Sequence, residues 1–344
     1  MAIGLHSDLT IYNEQFQAGR MQRQAQWLDA ILPNANGSIA ISTAERKGDY
    51  AYEAIFDNGP AIARRDLTAS SAQTATALTQ DENISVKRNF KYPLVEVTKS
   101  SFRNQGMDGD EFFFMLGEDY AEKKMKELLN TGFLAAEAAL QAAANTHDKS
   151  GSTITVGFLN GAFQKLGDHS SEIGAVWMHS NSWHGLIGQN ITDKVDGIAN
   201  LVIRNSAQFA LGRNFVLSDF PAAIDLNGSL TDTYNILCLT RNAIVIEESE
   251  PDEVAIVPTN VGGENLTMQF QGEGAYNVSI KGFKWDVANG GANPTDARCG
   301  SASTPGRVDL SAGADRAGGS AISTTSGAST TVRPSAFQSP WVAR

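Results

Sequence analysis

The densest run of reactive side-chain types in this 344-residue chain is His179-Ser180-Asn181-Ser182-Trp183-His184, with Asp193 nine residues further on. Hydrolysis of the serine-histidine-aspartate kind needs a nucleophile on a sharp turn within reach of an oriented imidazole, and no Gly-x-Ser-x-Gly elbow surrounds either serine. The ordinary role of the run is a strand end that caps a helix through Ser180 or Asn181. As metal ligands, His179 and His184 lie five apart, off a common helical face, and no second carboxylate or cysteine pair completes a set. Gly272-Glu273-Gly274 lacks the third glycine and following helix of a dinucleotide motif and reads as a turn, and no Gly-Lys-Ser/Thr is present for phosphates. Asp108, Asp110 and Glu111 do not have the spacing of a calcium loop; helix capping accounts for them. The residues therefore offer no active site, and no catalytic, cofactor or metal role is expected.

The element that dominates the chain begins at those acids. From Asp110 to Asn145, Ala121, Met125, Leu128, Gly132, Ala135, Ala139 and Ala142 recur at three- and four-residue steps, which lines one face of an α-helix. On the opposite face Glu122 stands four before Lys126 and Lys123 four before Glu127, two i,i+4 pairs worth a few tenths of a kcal/mol each. The acidic first turn suits the helix dipole, and Asn145, Thr146, Asp148 and Gly151 mark the end. Counted only from Glu118, such a helix is roughly 40 Å long. Its inner face shrinks from Met and Leu to Gly and Ala, so a further layer, a sheet, is expected to approach its C-terminal half closely.

Composition narrows the setting. Asp plus Glu number 38 against 27 Lys plus Arg, a formal net charge of -11, so no general attraction to nucleic acid or anionic membrane is expected. Neither a secretory leader nor eighteen consecutive apolar residues can be found. Two cysteines are too few for a disulfide framework; Cys238, inside Ile236-Leu237-Cys238-Leu239, reads as a buried thiol and a reducing cytoplasm as the compartment.

Along the chain, Asn13 to Leu32 gives a short helix with a narrow apolar edge (Phe16, Trp27, Leu28, Ile31), closed by Pro33 and Asn36-Gly37; such an arm must lean on something else. Tyr50–Phe56 and Tyr92–Val97 read as two strands of a projecting hairpin, and the polar stretch between them cannot make a core. Residues 153 to 257 read as a compact α/β unit: Ile154–Leu159 leading into a short helix near Leu166, a strand at Ala175–His179, a helix from Asn181 to Gln189, then strands near Leu201–Ile203, Phe215–Leu217, Ile236–Leu239 and Ala243–Ile246. Successive strands favour an α+β class over a doubly wound sheet. Pro251 and Pro258 punctuate turns, and Leu266–Phe270 and Tyr276–Ile280 form a second hairpin that packs on the long helix. From Gly300 a Ser/Thr/Gly/Ala-rich tail, flexible in a free monomer, closes with Phe337 and Trp341. Arm, hairpin and tail cannot order themselves, and the nearest source of ordering contacts is identical copies of the chain. Trp27, Arg64, Arg65, Asp66, Asp81, Glu82, Phe337 and Trp341 are the expected inter-subunit contact residues.

The order of parts, arm, projection, long helix, compact unit and return strands, resembles the major capsid proteins of tailed bacteriophages, the Hong Kong 97-type fold. Local runs are similar too: the helix from Asp110 to Asn145, Ala175-Val176-Trp177-Met178-His179-Ser180, Leu211-Gly212-Arg213-Asn214-Phe215-Val216-Leu217-Ser218-Asp219, and Tyr234-Asn235-Ile236-Leu237-Cys238-Leu239 followed by Ala243. The likeness spans residues 40 to 290 and departs at Asn214, where a proline is frequent, and at Thr240-Arg241-Asn242, where glycine is. It implies an N-terminal arm (1–48), an extended loop lying over a neighbour (49–102), a peripheral domain with its spine helix (103–150), an axial domain at capsomer centres (151–257), peripheral return strands (258–300) and a C-terminal arm (301–344). It further implies a non-enzymatic homo-oligomer of hexameric and pentameric capsomers. Such capsomers form an icosahedral shell that encloses double-stranded DNA without sequence-specific binding, and scaffold, portal and decoration proteins are its partners. Some relatives weld subunits through a Lys-Asn isopeptide bond; the projecting loop here has no Lys before Lys87, so non-covalent locking between subunits is expected. The absence of a large segment before the arm, with an initiator-like Met1, favours a separate scaffold protein. An encapsulin-type nanocompartment shares the fold and differs in its contents; a soluble α+β hydrolase at His179–His184 is the alternative from another class.

Overall fold

The computed structural model describes residues 5–56, 68, 80–104, 106, 108–142, 146–149, 154–195, 213–225, 233–259, 264–265, 267–299, 321–326 and 341–343. In chain order the first elements are α1 (Leu5–Ala35), β1 (Ile39–Thr43), β2 (Tyr50–Phe56), β3 (Gln80–Thr98), α2 (Lys99–Asn104), α3 (Gly109–Ala142) and β4 (Thr146–Lys149). Next come α4 (Val156–Gln164), β5 (Ile173–Met178), α5 (Ser180–Val195), β6 (Asn214–Leu217), β7 (Ile224–Asp225) and β8 (Thr233–Thr240). The last are β9 (Ile244–Thr259), β10 (Thr267–Ile280), β11 (Phe283–Trp285), α6 (Val287–Gly290), α7 (Asp296–Cys299), β12 (Ala321–Ser326) and β13 (Trp341–Ala343).

The 34 residues of α3 make a rod of roughly 50 Å. Its expected inner face is buried: Ala121, Met125, Leu128, Ala135 and Ala139 are at most 2% exposed. Glu122 bonds Lys126 as expected, at 2.7 Å, but Lys123 turns back to Asp119 rather than forward to Glu127, because Glu127 is taken by Arg88 of β3. The small residues of the C-terminal half do admit a sheet. A Cβ at Gly132 would stand 2.9 Å from Cγ2 of Ile244 on β9.

The arm helix α1 is longer than expected, 31 residues with Pro33 inside its last turn. It ends only where Asn36 and Gly37 take positive φ, 46° and 69°. It leans on its own chain: Phe16 is fully buried beside Tyr120 and Phe270, and Trp27, Leu28 and Ile31 pack on the main core. Two glycines permit this. A Cβ at Gly19 would collide with the Phe114 carbonyl oxygen, and one at Gly117 with that of Phe16, so α1 and α3 touch backbone to backbone.

A five-stranded sheet, β1-β9-β10-β3-β2, lies on α3; β1 pairs parallel with β9 and the rest pair antiparallel. Here the hairpin expectations change. The partner of β2 is Gln80–Val86, not Tyr92–Val97, which pairs with β10 instead. The expected strands Leu266–Phe270 and Tyr276–Ile280 are not two: Thr267–Phe270 and Tyr276–Ile280 are parts of one strand, β10, with Leu266 outside the described residues, and Gly272-Glu273-Gly274 is mid-strand. These glycines serve close approach: a Cβ at Gly272 would lie 3.0 Å from the Tyr120 ring, and one at Gly274 2.8 Å from the Phe90 ring. Pro251 and Pro258 sit within β9, and Pro251 falls where the β9–β10 register slips, so its missing N–H costs the ladder nothing.

The second sheet, β4-β12-β8-β5-β6 with β7 on β8, has cores on both faces. Ala175 and Trp177 of β5 and Leu237 and Leu239 of β8 face the α3 core; Val176, Met178, Ile236 and Cys238 face α4 and α5. That alternation is the period of a strand buried on both sides. The Trp177 indole donates to Ser38 Oγ at 3.0 Å, tying the end of the arm to the middle of this sheet. The expected short helix starts earlier than Leu166, within Ile154–Leu159 itself: Thr155 caps α4, its Oγ1 accepting from the Phe158 N–H, and Phe158, Leu159, Ala162 and Phe163 are buried at helical spacing. Two pieces of the expected flexible tail join sheets: β12 lies between β4 and β8, and Trp341 of β13 stands opposite Trp285. The β-branched Ile322, Thr324 and Thr325 of β12 and Val342 of β13 suit strands. The run Leu201–Ile203 lies outside the described residues.

Candidate functional site

The His179 cluster assembles at the N-terminus of α5, and its hydrogen bonds are structural. The Asn181 N–H donates to His179 Nδ1 (3.1 Å), so the neutral ring carries its proton on Nε2, 3.3 Å from Asp219 Oδ1. The Ser180 N–H also donates to Asp219 (3.1 Å). Hydrogen bonds from Ser180 hold the Asp219 carboxyl below the usual carboxylate range, with a smaller contribution from His179. Asn181 donates to Tyr234 Oη (2.7 Å), whose ring stacks on His179 at 5.1 Å. Both imidazole nitrogens are thus engaged, and neither is placed to take a proton from a serine. Ser182 is buried, His184 is exposed, and the Asp193 side chain lies outside the described residues. The cap is made by His179 and Asp219 rather than by the side chains of Ser180 or Asn181 alone. Among the described residues no group of three or more His, Cys, Asp or Glu could hold a metal ion.

The chain concentrates its charge instead where α1, α3 and the five-stranded sheet meet. Asp252 of β9 accepts from Lys124 Nζ of α3 (2.7 Å) and Arg20 Nη1 of α1 (3.1 Å), and its side chain is 3% exposed. One carboxylate so ties three elements together. Lys124 also reaches Glu248 at 2.8 Å. Arg88 of β3 meets Glu127 (2.8 Å), Thr131 (2.9 Å) and Asp296, and Thr131 meets Tyr276 Oη (2.9 Å). Burial would by itself lower the Arg88 pKa, but Tyr276, Cys299 and Asp296 around it raise it, and the guanidinium stays charged. Burial pushes the Tyr276 phenol up. An open cleft of about 620 Å³ between β3 and α3 is lined by Arg88, Lys91, Tyr92, Lys123, Lys124 and Glu127 among others. Arg88, Lys123 and Lys124 on its walls are each held by acids. Sequence spacing carried no signal for this network, since its members are up to 232 residues apart.

The expected contact residues divide. Arg64, Arg65, Asp66 and Phe337 lie outside the described residues. Glu82 is exposed on β3 opposite Ala54, and Asp81 follows opposite Ile55, its side chain outside the described set. Trp27 is half-buried against the chain's own core, and Trp341 lies in β13. The ladder itself is informative. Beyond Val86, β3 pairs with β2 alone, so Gln80–Ser85 and their partners leave the sheet as a two-stranded ribbon.

A long helix buried under a sheet, a two-stranded ribbon leaving that sheet, and a second compact sheet unit are the parts of the Hong Kong 97-type fold. The capsid asymmetric unit of cyanophage Pam1 is similar, with a TM-score of 0.51 and 10% identity over 83% of this chain and 87% of that one. The mature capsid of bacteriophage PhiM1 is similar at TM-score 0.49 and 11% identity, covering 72% and 83% of the two chains. The capsid of Myoviridae phage XM1 gives 0.47 and 9% over 85% and 90%. No curated protein sequence matches significantly. A family model described as Gp13-like, major capsid protein 13-like, matches residues 8–307. The chain belongs to this Gp13-like family of major capsid proteins and is a phage head-shell protein, located in the capsid of the virion.

Proposed function

We propose that copies of this chain associate as hexamers and pentamers and close an icosahedral shell around double-stranded DNA, with no catalytic role. The family match over residues 8–307 carries this reading. Two physical observations support it. An isolated two-stranded ribbon is marginal in water, so the outer end of the β2–β3 extension, beyond the buried Asn83, Ile84 and Ser85, calls for a surface outside its own subunit. The net charge of -11 suits a container that must not hold its contents tightly.

In this reading residues 151–257 form the axial domain at capsomer centres. Residues 103–150 and 258–300 form the peripheral domain. Residues 49–102 form the extended loop, with Arg64, Arg65, Asp66, Asp81 and Glu82 meeting a neighbour, joined by Trp27, Phe337 and Trp341. Locking between subunits is non-covalent. Assembly takes place in the host cytoplasm, and the partners of such a shell are scaffold, portal and decoration proteins. The test is the double variant Arg64→Glu, Arg65→Glu. Electron microscopy and sedimentation should find folded subunits that fail to close shells, and normal particles would remove the loop from the contact. DNA within the wild-type particles, rather than a protein cargo, separates a head shell from a nanocompartment.

A further inference from the structure

We propose that Lys87 and Asn277 form an isopeptide bond within one chain, made by the chain itself. Lys87 of β3 and Asn277 of β10 are direct Cα partners in an antiparallel ladder. Their side chains therefore rise on the same face, with Cβ atoms about 5 Å apart, well within the reach of a lysine. Both are covered, Asn277 to 1% exposure and Lys87 to 8%. The cover is the crossing from β1 to β2: the Ala44 N–H donates to the Glu248 carbonyl (3.1 Å) and the Lys87 N–H to that of Asp49 (2.9 Å). Between these anchors Arg46 bonds Glu247 at 2.9 Å and Glu53 at 3.0 Å, and Glu247 is the Cα partner of Asn277 on the other side.

Under this strap the Lys87 ammonium is bound to the Glu250 carboxylate, while neither the amide nitrogen nor the amide oxygen of Asn277 has a hydrogen-bond partner. A wholly buried primary amide with all its polar atoms unmet is costly and calls for a reason. Joining the two groups supplies one, because an ammonium and a primary amide are replaced by a single secondary amide.

The step balances with groups already present. Glu250 takes a proton from the Lys87 ammonium, and the neutral amine attacks Asn277 Cγ, forming the new C–N bond and placing the electron pair on the carbonyl oxygen. The carbonyl re-forms and the Cγ–Nδ2 bond breaks as Glu250 returns its proton to the departing nitrogen; the second proton, shed by the lysine nitrogen as it becomes the amide, passes through the same carboxylate and leaves with the ammonia as ammonium. Glu250 ends as it began, and no oxidant, reductant or added co-reactant is needed. Its half-exposed side chain opens an exit for the ammonia. The bond would fix the root of the β2–β3 ribbon to the central strand β10, so that load on the ribbon cannot unzip the ladder. It lies within one chain, so subunits still separate on a denaturing gel.

Intact-mass measurement of the full unassembled chain decides the matter. The wild type should be lighter than its sequence by about 17 Da, the mass of ammonia, and its tryptic digest should hold a branched peptide joining residues 87 and 277. Lys87→Arg and Asn277→Ala should each restore the full mass, and Glu250→Gln should slow or abolish the loss. A wild-type chain of full mass, or one about 1 Da heavier through deamidation, overturns the proposal whether or not the variants fold. So does a loss that survives Lys87→Arg.

Discussion

Replacing Gly117 by alanine sets two known magnitudes against each other. Within a helix, Gly→Ala gains about 1 kcal/mol, because the backbone loses less freedom and the helix is better shielded. At Gly117 the new Cβ would run into the Phe16 carbonyl oxygen and stand 3.0 Å from the Arg20 amide nitrogen, both rigid backbone atoms. The two helices must then separate, loosening the fully buried Phe16 and the aromatic contacts it makes at 5.6 Å with Tyr120 and 5.0 Å with Phe270. Overpacking of this kind costs about 1 to 3 kcal/mol, toward the upper end where backbone blocks backbone. The expected net is a destabilisation of about 1 to 2 kcal/mol. Gly188 in α5 is the control, since a Cβ there meets nothing within 4 Å and only the propensity gain should remain. Urea unfolding of the unassembled chain, followed by circular dichroism, should move the midpoint down for Gly117→Ala and up for Gly188→Ala. If both variants are stabilised alike, the backbone contact between α1 and α3 does not hold the arm.

Three further outcomes follow from the charged and buried groups. Hydrogen bonds from Lys126 and Arg23 lower the Glu122 pKa to about 2. The folded value lies below the unfolded one of about 4.3, so its stabilisation is present above about pH 4.3 and is lost as pH falls toward 2. Glu122→Gln should therefore flatten the acid limb of a stability–pH curve while changing little below about pH 2, and an unchanged limb would discount the Arg23–Glu122 link. Burial pushes the Cys238 thiol up to about 12 and Cys299 to about 11. Iodoacetamide at pH 8 should label neither until denaturant is added, and rapid labelling of the native chain would contradict their burial. Arg88→Met removes the partner of Glu127 and Asp296 and should cost about 2 kcal/mol in urea unfolding, below the 3 to 5 typical of a fully buried pair because both acids are part-exposed; no loss would show the network to be idle.

Legibility differed from element to element for physical reasons. The inner face of α3 could be read from spacing because a helix repeats every 3.6 residues and one side must be apolar. The strands β5, β6 and β8 announced themselves as short apolar runs. The His179 run was expected to cap a helix through Ser180 or Asn181; it does stand at the start of α5, but the accepting groups are His179 and Asp219, 40 residues apart in the chain. Glycines were misread most. Gly272 and Gly274 looked like a turn because local sequence cannot distinguish a glycine that bends the chain from one that admits a ring from above. Gly19 and Gly117 carried no signal at all until two distant helices were laid side by side.

Taken alone, then, the sequence determined what depends on near neighbours: the periodicity of the strut, the buried thiol, the lack of a catalytic motif and the order of parts that resembles a phage shell protein. Tertiary structure decided what depends on long-range pairing. It matched β2 with Gln80–Val86, made one strand of the expected second hairpin, seated the arm on its own helix and gathered Asp252, Lys124 and Arg20 around one carboxylate. Hydrophobic patterning states which side of an element is buried but not against what, because that energy scales with area and is indifferent to the partner. Backbone collision, strand register and buried charge are specific to the partner, and they exist only once the chain has folded.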